Sequence, residues 1–167
     1  FRNTILVYLH IDGKDLFPDN WLYIHSTELR TGRISNFRNY APEINHGKQT
    51  TIVAMEYWCY DEDDLWTLSS ENLIELARRE LNITGLNKGK KIMEGYVYKI
   101  ARCYPVYRRN YKEILRPIEH YLNTIAGMKV IGRYGAFKYN NQDHSILMGI
   151  MAAENIMNKA SHNLWEI

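Results

Sequence analysis

The sequence predicts an α/β (α+β) fold in which a mixed, largely antiparallel sheet packs against three main helices. Runs of β-branched and aromatic residues at strand length dominate the first half of the chain. Three later segments carry apolar residues at helical spacing. The 167 residues, of which 46% are hydrophobic, suffice for one folded domain with a real core.

Five segments have the composition of strands. The run TTIVAMEYWC is apolar on both faces, which predicts a place in the centre of the sheet. The run YVYKIARCYPVY is closed by Pro105, and MKVI predicts a short buried strand. In chain order, the predicted strands cover residues 5–11, 20–25, 50–59, 96–107 and 128–131.

The first predicted helix covers ENLIELARREL. A serine, Ser69 or Ser70, supplies a side-chain cap at its start, and Gly85 and Gly89 follow its end. Four apolar residues recur at helical spacing and predict one buried face. This face consists of Leu73, Ile74, Ala77 and Leu81.

The second predicted helix begins with Asn110 and Glu113, which have the spacing of a capping box. Pro117 lies inside it and predicts a kink or a break, because proline removes one helical hydrogen bond. The residues predicted to face inward are Ile114, Leu115, Ile118, Tyr121, Leu122 and Ile125.

The third predicted helix runs from about Asp143 to Lys159. Its apolar residues also recur at helical spacing, which predicts a buried stripe. The predicted stripe consists of Ile146, Ile150, Ala153 and Met157.

Composition excludes several classes of protein. The net charge of +2 is too small for a protein that binds nucleic acid without sequence specificity. No window approaches the roughly 18 apolar residues of a membrane span, and no signal-peptide pattern opens the chain, so we expect a cytoplasmic protein. Cys59 and Cys103 are expected to be reduced. The dispersed histidines predict no metal site, and no G-x-S-x-G or H-E-x-x-H motif supports hydrolysis.

The segment VIGRYGAFKYNNQDHSILMGIMAAENI at 130–156 is unusually polar for a connection into a helix. Gly132 and Gly135 would let the backbone approach a ligand closely, and Arg133 has the planar fork that suits phosphate. Asp143 could cap the helix or accept a hydrogen bond from a hydroxyl group. By residue types alone, a structural loop explains the segment as well as an anion or cofactor site does.

The stretch GRYGAFKYNNQDHS resembles the C-terminal flavin and substrate segment of UDP-galactopyranose mutases, of the eukaryotic type and of their bacterial relatives. Members of this family are often labelled protoporphyrinogen-oxidase-like or amine-oxidase-like flavoproteins. NWLYIH at 20–25, GRISNFRNYAPE at 32–43 and YPVY at 104–107 are similar to the same family in the same order. The resemblance covers about residues 15–156.

The resemblance implies roles for named residues. Arg33 and Arg133 look like the two arginines that hold a substrate diphosphate. The resemblance leaves the catalytic side chain unidentified and gives no metal ligand. The implied substrate-binding residues are Tyr23, Arg33, Asn36, Tyr104, Arg133, Tyr139 and Asn141. The implied cofactor-binding residues are Gly132, Gln142, Asp143, His144 and Ser145.

The function that the resemblance implies is that of a C-terminal fragment of an FAD-dependent oxidoreductase or isomerase, acting on an anionic substrate such as a nucleotide-sugar. Residues 1–127 would belong to the substrate-binding domain, and residues 128–167 would complete the FAD-binding domain. The G-x-G-x-x-G unit that grips FAD does not occur in this sequence. We therefore expect the missing N-terminal half of the same chain to be its partner, and the fragment alone to be inactive and without FAD.

Two alternatives stay open. The chain could belong to an amine-oxidase-like or protoporphyrinogen-oxidase-like flavoprotein with a different substrate, or it could be a non-catalytic module that binds anions. Within the mutase interpretation, the pathway implied is the biosynthesis of cell-surface polysaccharide.

Overall fold

The computed structural model describes residues 1–167 and has the predicted mixed α/β fold, with five strands and six α-helices. The strands are β1 (Arg2–Ile11), β2 (Trp21–Tyr23), β3 (Arg33–Asn36), β4 (Thr51–Cys59) and β5 (Ile92–Tyr104). The helices are α1 (Phe37–Tyr40), α2 (Asp64–Thr67), α3 (Ser70–Thr84), α4 (Tyr111–Asn123), α5 (Gly132–Gly135) and α6 (Gln142–Ile156).

The chain forms two compact units. The first comprises Arg2–Cys103, and the second comprises Tyr104–Ile167 together with Phe1. The assignment of residues 1–127 to a substrate-binding domain and of residues 128–167 to an FAD-binding domain stays a prediction. None of the helices is both long enough and apolar enough to cross a bilayer.

The first unit contains a single sheet with the strand order β2-β3-β4-β1-β5. β4 lies in its centre, as its apolar sequence predicts, and pairs antiparallel with both β3 and β1. β5 also runs antiparallel to β1, since the N–H of Asp12 donates to the carbonyl of Lys91 and the N–H of Arg102 donates to the Asn3 side chain. The predicted antiparallel sheet is confirmed.

Helix α3 covers one face of this sheet and completes the core. Leu73, Ala77 and Leu81 are fully buried, and Ile74 packs against the same cluster, as predicted. Ser69 is the cap, because its hydroxyl oxygen accepts a hydrogen bond from the N–H of Asn72. The alternating residues of β1 and β4 meet α3 in the core, among them Val7 opposite Met55 and Leu9 opposite Val53.

Helix α4, in the second unit, differs from its prediction. None of its residues is buried, and Ile114, Ile118 and Tyr121 are 58%, 51% and 66% exposed. The predicted inward orientation is therefore wrong for Ile114, Ile118, Tyr121 and Ile125, whereas Leu115 and Leu122 are half-buried. Amphipathic spacing shows that a helix has an apolar face and does not show what covers that face.

The start and the middle of α4 also differ from the prediction. Asn110 occupies the cap position, but its side chain makes no capping hydrogen bond. The helix continues through Pro117 without a break.

Residues 128–131 form no strand, so the prediction of a short buried strand is wrong. Met128 and Ile131 are each 38% exposed. A run of four apolar residues does not by itself distinguish a strand from an extended connection, and only a paired neighbour would have made it a strand.

Helix α6 begins at Gln142, close to the predicted start, and ends at Ile156. Its buried residues are Met148 and Ala152. The predicted stripe is wrong, since all four of its members, Ile146, Ile150, Ala153 and Met157, are exposed. The segment ILMGIMAA is apolar on most sides of the helix, so spacing alone could not select the buried side.

Candidate functional site

The predicted site residues fall into two clusters, one in each unit. Tyr23 and Arg33 lie in the first unit, on neighbouring strands. Tyr104, Arg133 and Tyr139 lie in the second unit, together with the start of α6. In each cluster an arginine lies against one or two tyrosine rings.

The sheet positions Arg33. Its Cα lies opposite Tyr23 of β2 and Glu56 of β4, so the three side chains share the sheet face that α3 leaves uncovered. The guanidinium carbon of Arg33 lies 5.8 Å from the centre of the Tyr23 ring. Its Nε donates to Oε2 of Glu56 at 2.7 Å, which makes a charge-assisted hydrogen bond. The Arg33 side chain remains 29% exposed.

Glu56 and Trp58 are site residues that the sequence reasoning did not identify. Glu56 is only 5% exposed, and its second oxygen, Oε1, accepts a hydrogen bond from Nε1 of Trp58 at 2.8 Å. A signal was present in the sequence: Glu56 is the one charged residue of the apolar run TTIVAMEYWC, and Trp58 follows two positions later, on the same face.

The backbone that leads into β3 is anchored from the other face of the sheet. The buried carboxylate of Glu80 on α3 accepts hydrogen bonds from the N–H groups of Arg30 and Thr31, at 2.8 and 3.1 Å. It also accepts the hydroxyl hydrogen bond of Tyr57. Burial and the nearby Glu80 carboxylate raise the pKa of Tyr57 well above its usual range, so Tyr57 remains a hydrogen-bond donor.

Asn36 has a structural role in this chain. It is fully buried, its Nδ2 donates to the carbonyl of Phe17, and its Oδ1 accepts the N–H of Arg38 as the cap of α1. Both ends of its amide are engaged in holding the turn after β3. These contacts assign Asn36 to the support of that turn.

In the second unit, Arg133 lies against two tyrosines that stack on each other. Its guanidinium carbon lies 4.9 Å from the ring centre of Tyr104 and 5.2 Å from that of Tyr139, and the two rings stack with their centres 5.4 Å apart. Its Nε donates to the backbone carbonyl of Asn140 at 3.1 Å. A carbonyl oxygen carries no net charge, so this contact orients Arg133 without neutralising it.

The start of α6 is open to solvent. Asn141, Gln142, Asp143 and His144 are exposed, and Ser145 is half-buried. Asn141 occupies the cap position without a side-chain capping bond. The hydrogen bond from the backbone N–H of His144 lowers the pKa of Asp143. The backbone N–H groups of this first turn are suited to hydrogen-bond acceptors.

Gly132 begins the short helix α5 with a φ of 77°, a left-handed conformation that glycine adopts readily. It sets the direction of the chain just before Arg133. No group of three or more His, Cys, Asp or Glu side chains is placed to hold a metal ion.

Comparison with known proteins gives matches in structure. No family profile and no curated protein matches the sequence. The crystal structure of reduced UDP-galactopyranose mutase matches 97% of this chain and 35% of its own, with a TM-score of 0.82 and 21% sequence identity. The PF1083 protein from Pyrococcus furiosus matches 99% of this chain and 34% of its own, with a TM-score of 0.51 and 14% identity.

The chain thus spans about a third of the length of either solved structure. At these identities the shared property is the fold. The resemblance in ordered motifs and the match in structure point to the same protein, although they rest on different observations. The chain is folded like one part of UDP-galactopyranose mutase.

Proposed function

We propose that this chain is the substrate-side, C-terminal part of an FAD-dependent sugar-nucleotide mutase or related oxidoreductase, acting on an anionic nucleotide-sugar in the cytoplasm. Residues 1–127 would present the substrate-binding surface, and residues 128–167 would complete the flavin site. The extent of the structural match and the order of the four sequence motifs support this proposal.

The observation that carries the proposal is the pair of oriented arginines. Arg33 is held against Tyr23 by Glu56, and Arg133 is held against Tyr104 and Tyr139 by a carbonyl group. A planar guanidinium fixed in this way suits the oxygen atoms of a diphosphate, which accept hydrogen bonds in pairs. Tyrosine rings beside it offer apolar surface to a sugar or a base.

In the proposed reaction these side chains bind the substrate and neutralise its negative charge. Two arginines would stabilise the negative charge of a departing nucleoside diphosphate, a role whose loss costs on the order of a hundredfold in rate. Tyr23, Tyr104 and Tyr139 would orient the substrate, and the exposed polar group of Asn141 would add a hydrogen bond to it.

The start of α6 fits a flavin. Gln142, Asp143, His144 and Ser145 surround an exposed helix start whose backbone N–H groups favour a negatively charged acceptor by about 0.3 to 1 kcal/mol. When bound, FAD would supply the nucleophilic or redox chemistry. This chain would supply hydrogen bonds, and Gly132 would allow the backbone to come close.

The test uses the whole gene product. Arg33→Ala and Arg133→Ala should each weaken binding of UDP, measured by calorimetry, while the flavin absorbance of the purified protein stays that of the wild type. Arg109→Ala is the matched control, since Arg109 is exposed and lies outside both clusters. The 167-residue chain expressed alone should be colourless.

Other results would support the alternatives. Stoichiometric FAD without any UDP binding would favour the amine-oxidase-like or protoporphyrinogen-oxidase-like interpretation. Binding of pyrophosphate by a gene product that never acquires flavin would favour a non-catalytic anion-binding module. UDP binding that survives both arginine substitutions would contradict the proposed substrate site.

A further inference from the structure

We propose that Glu56 and Trp58 are positioning residues that hold the guanidinium of Arg33 in one orientation toward the anionic part of the substrate. The proposal rests on the function proposed above for Arg33. It adds two residues of β4 to the site, and both act through Arg33.

The carboxylate of Glu56 is fixed because its two oxygens serve two different donors. Oε2 accepts from Nε of Arg33 at 2.7 Å, and Oε1 accepts from Nε1 of Trp58 at 2.8 Å. A carboxylate bound through one oxygen alone can rotate, whereas one bound through both oxygens cannot. Glu56 is 5% exposed, so water competes little for either bond.

Trp58 is itself fixed by Gly32, the residue that precedes Arg33. A Cβ on Gly32 would lie only 2.0 Å from Cζ3 of Trp58, so the indole occupies space that any other residue would fill. The N–H of Gly32 also donates to the backbone carbonyl of Glu56 at 2.8 Å. Contacts and hydrogen bonds therefore connect four residues in series, and the series begins and ends beside the start of β3. The four residues are Gly32, Trp58, Glu56 and Arg33.

Such support matters because arginine is long and flexible. Ordering a free arginine side chain costs rotamer entropy, and a residue ordered before binding does not incur that loss when the ligand arrives. Glu56 has a second effect, since its negative charge opposes the attraction of Arg33 for an anion. The two effects predict opposite results when that charge is removed.

The variants Trp58→Phe and Glu56→Gln separate these effects. Trp58→Phe keeps an aromatic ring beside Gly32 and removes the donor to Glu56 without changing any charge. Glu56→Gln keeps the shape and removes the charge. Trp66→Phe is the matched control, because Trp66 is also half-buried in the first unit and lies beside Lys99 instead.

The first readout is the ¹⁵N-edited NMR signal of the Arg33 Nε–H in the 167-residue chain. We expect a sharp signal in the wild type and in Trp66→Phe, and a shifted, faster-exchanging signal in Trp58→Phe and Glu56→Gln. A loss of folding alone would also disturb the backbone amide spectrum, which serves as the internal check. An unchanged Arg33 signal in both variants would overturn the proposal.

The second readout is UDP affinity in the whole gene product. Losing one hydrogen bond in the support should weaken UDP binding about two- to tenfold in Trp58→Phe. Glu56→Gln should also weaken it, although a purely electrostatic role predicts tighter binding, and tighter binding would overturn the proposal. If Arg33→Ala leaves UDP affinity unchanged, the proposed function fails at this site, whereas the NMR signal still decides whether the two residues hold Arg33.

Discussion

The carboxylate of Glu80 on α3 accepts the hydroxyl hydrogen bond of Tyr57 on β4, with Oε2 lying 3.1 Å from the phenolic oxygen. Both residues are almost completely buried. Because the same carboxylate accepts the backbone N–H groups of Arg30 and Thr31, it connects the helix, the central strand and the segment that leads to Arg33. The stability of the sheet and the placement of Arg33 are therefore linked.

Replacing Glu80 by alanine should lower the free energy of unfolding by about 2 to 4 kcal/mol, because three donors, two of them in buried bonds, lose their acceptor. Urea unfolding followed by circular dichroism measures this change. Glu75→Ala on the same helix is the control. Its side chain is 70% exposed and pairs only with Arg78, so the expected change is within about 0.5 kcal/mol. Equal effects of the two substitutions would contradict the anchoring role.

Tyr57→Phe should reduce stability by about 1 kcal/mol at pH 7, because the bond to Glu80 is lost. Burial raises the pKa of Tyr57 above its ordinary value of 10.0, so its contribution is present below pH 10 and is lost as pH rises further. The difference between wild type and variant should therefore shrink above pH 10. Urea unfolding from pH 7 to 11 measures it, with Tyr96→Phe, at an exposed position, as the comparison. A constant difference would refute the assignment.

The two cysteines should differ in reactivity. Cys59 is fully buried, and burial raises the pKa of its thiol, so little reactive thiolate forms at neutral pH. Cys103 is half-buried. Iodoacetamide labelling at pH 8, followed by mass spectrometry, should modify Cys103 before Cys59. In urea, which unfolds the chain, the two cysteines should be labelled at similar rates. Labelling of Cys59 at the rate of Cys103 in the folded chain would show that β4 is not protected.

The exposed face of α4 predicts a tolerant position. Ile118→Gln should change the free energy of unfolding of this chain by no more than about 0.5 kcal/mol, because Ile118 is 51% exposed. Leu73→Ala, in the core beneath the sheet, should cost about 2 to 5 kcal/mol. Thermal or urea unfolding of both variants tests the contrast. A large loss for Ile118→Gln would mean that α4 is covered within this chain after all.

Local sequence pattern was a good guide wherever one element meets another from the same unit. Strand β4 was predicted to be central because it is apolar on both faces, and the buried face of α3 was predicted because its pattern has a single apolar side. Pattern failed for α4 and α6, because most of the apolar residues predicted to be buried in these helices are exposed. Periodicity is a property of one segment, whereas burial needs a second surface.

The sequence by itself determined where β1, β2, β4, β5 and the helices α3, α4 and α6 lie along the chain, and the residue types in which the mutase resemblance lies. It did not predict β3 or the short helices α1, α2 and α5. Only the tertiary structure decided which of those residues meet. It set Arg33 against Tyr23 and Glu56, joined Trp58 to the same carboxylate, and turned Asn36 inward as a cap. The reason is physical: helix and strand preferences depend on neighbours a few positions away, whereas an ion pair between Arg33 and Glu56 depends on the register between two strands that a 14-residue connection separates.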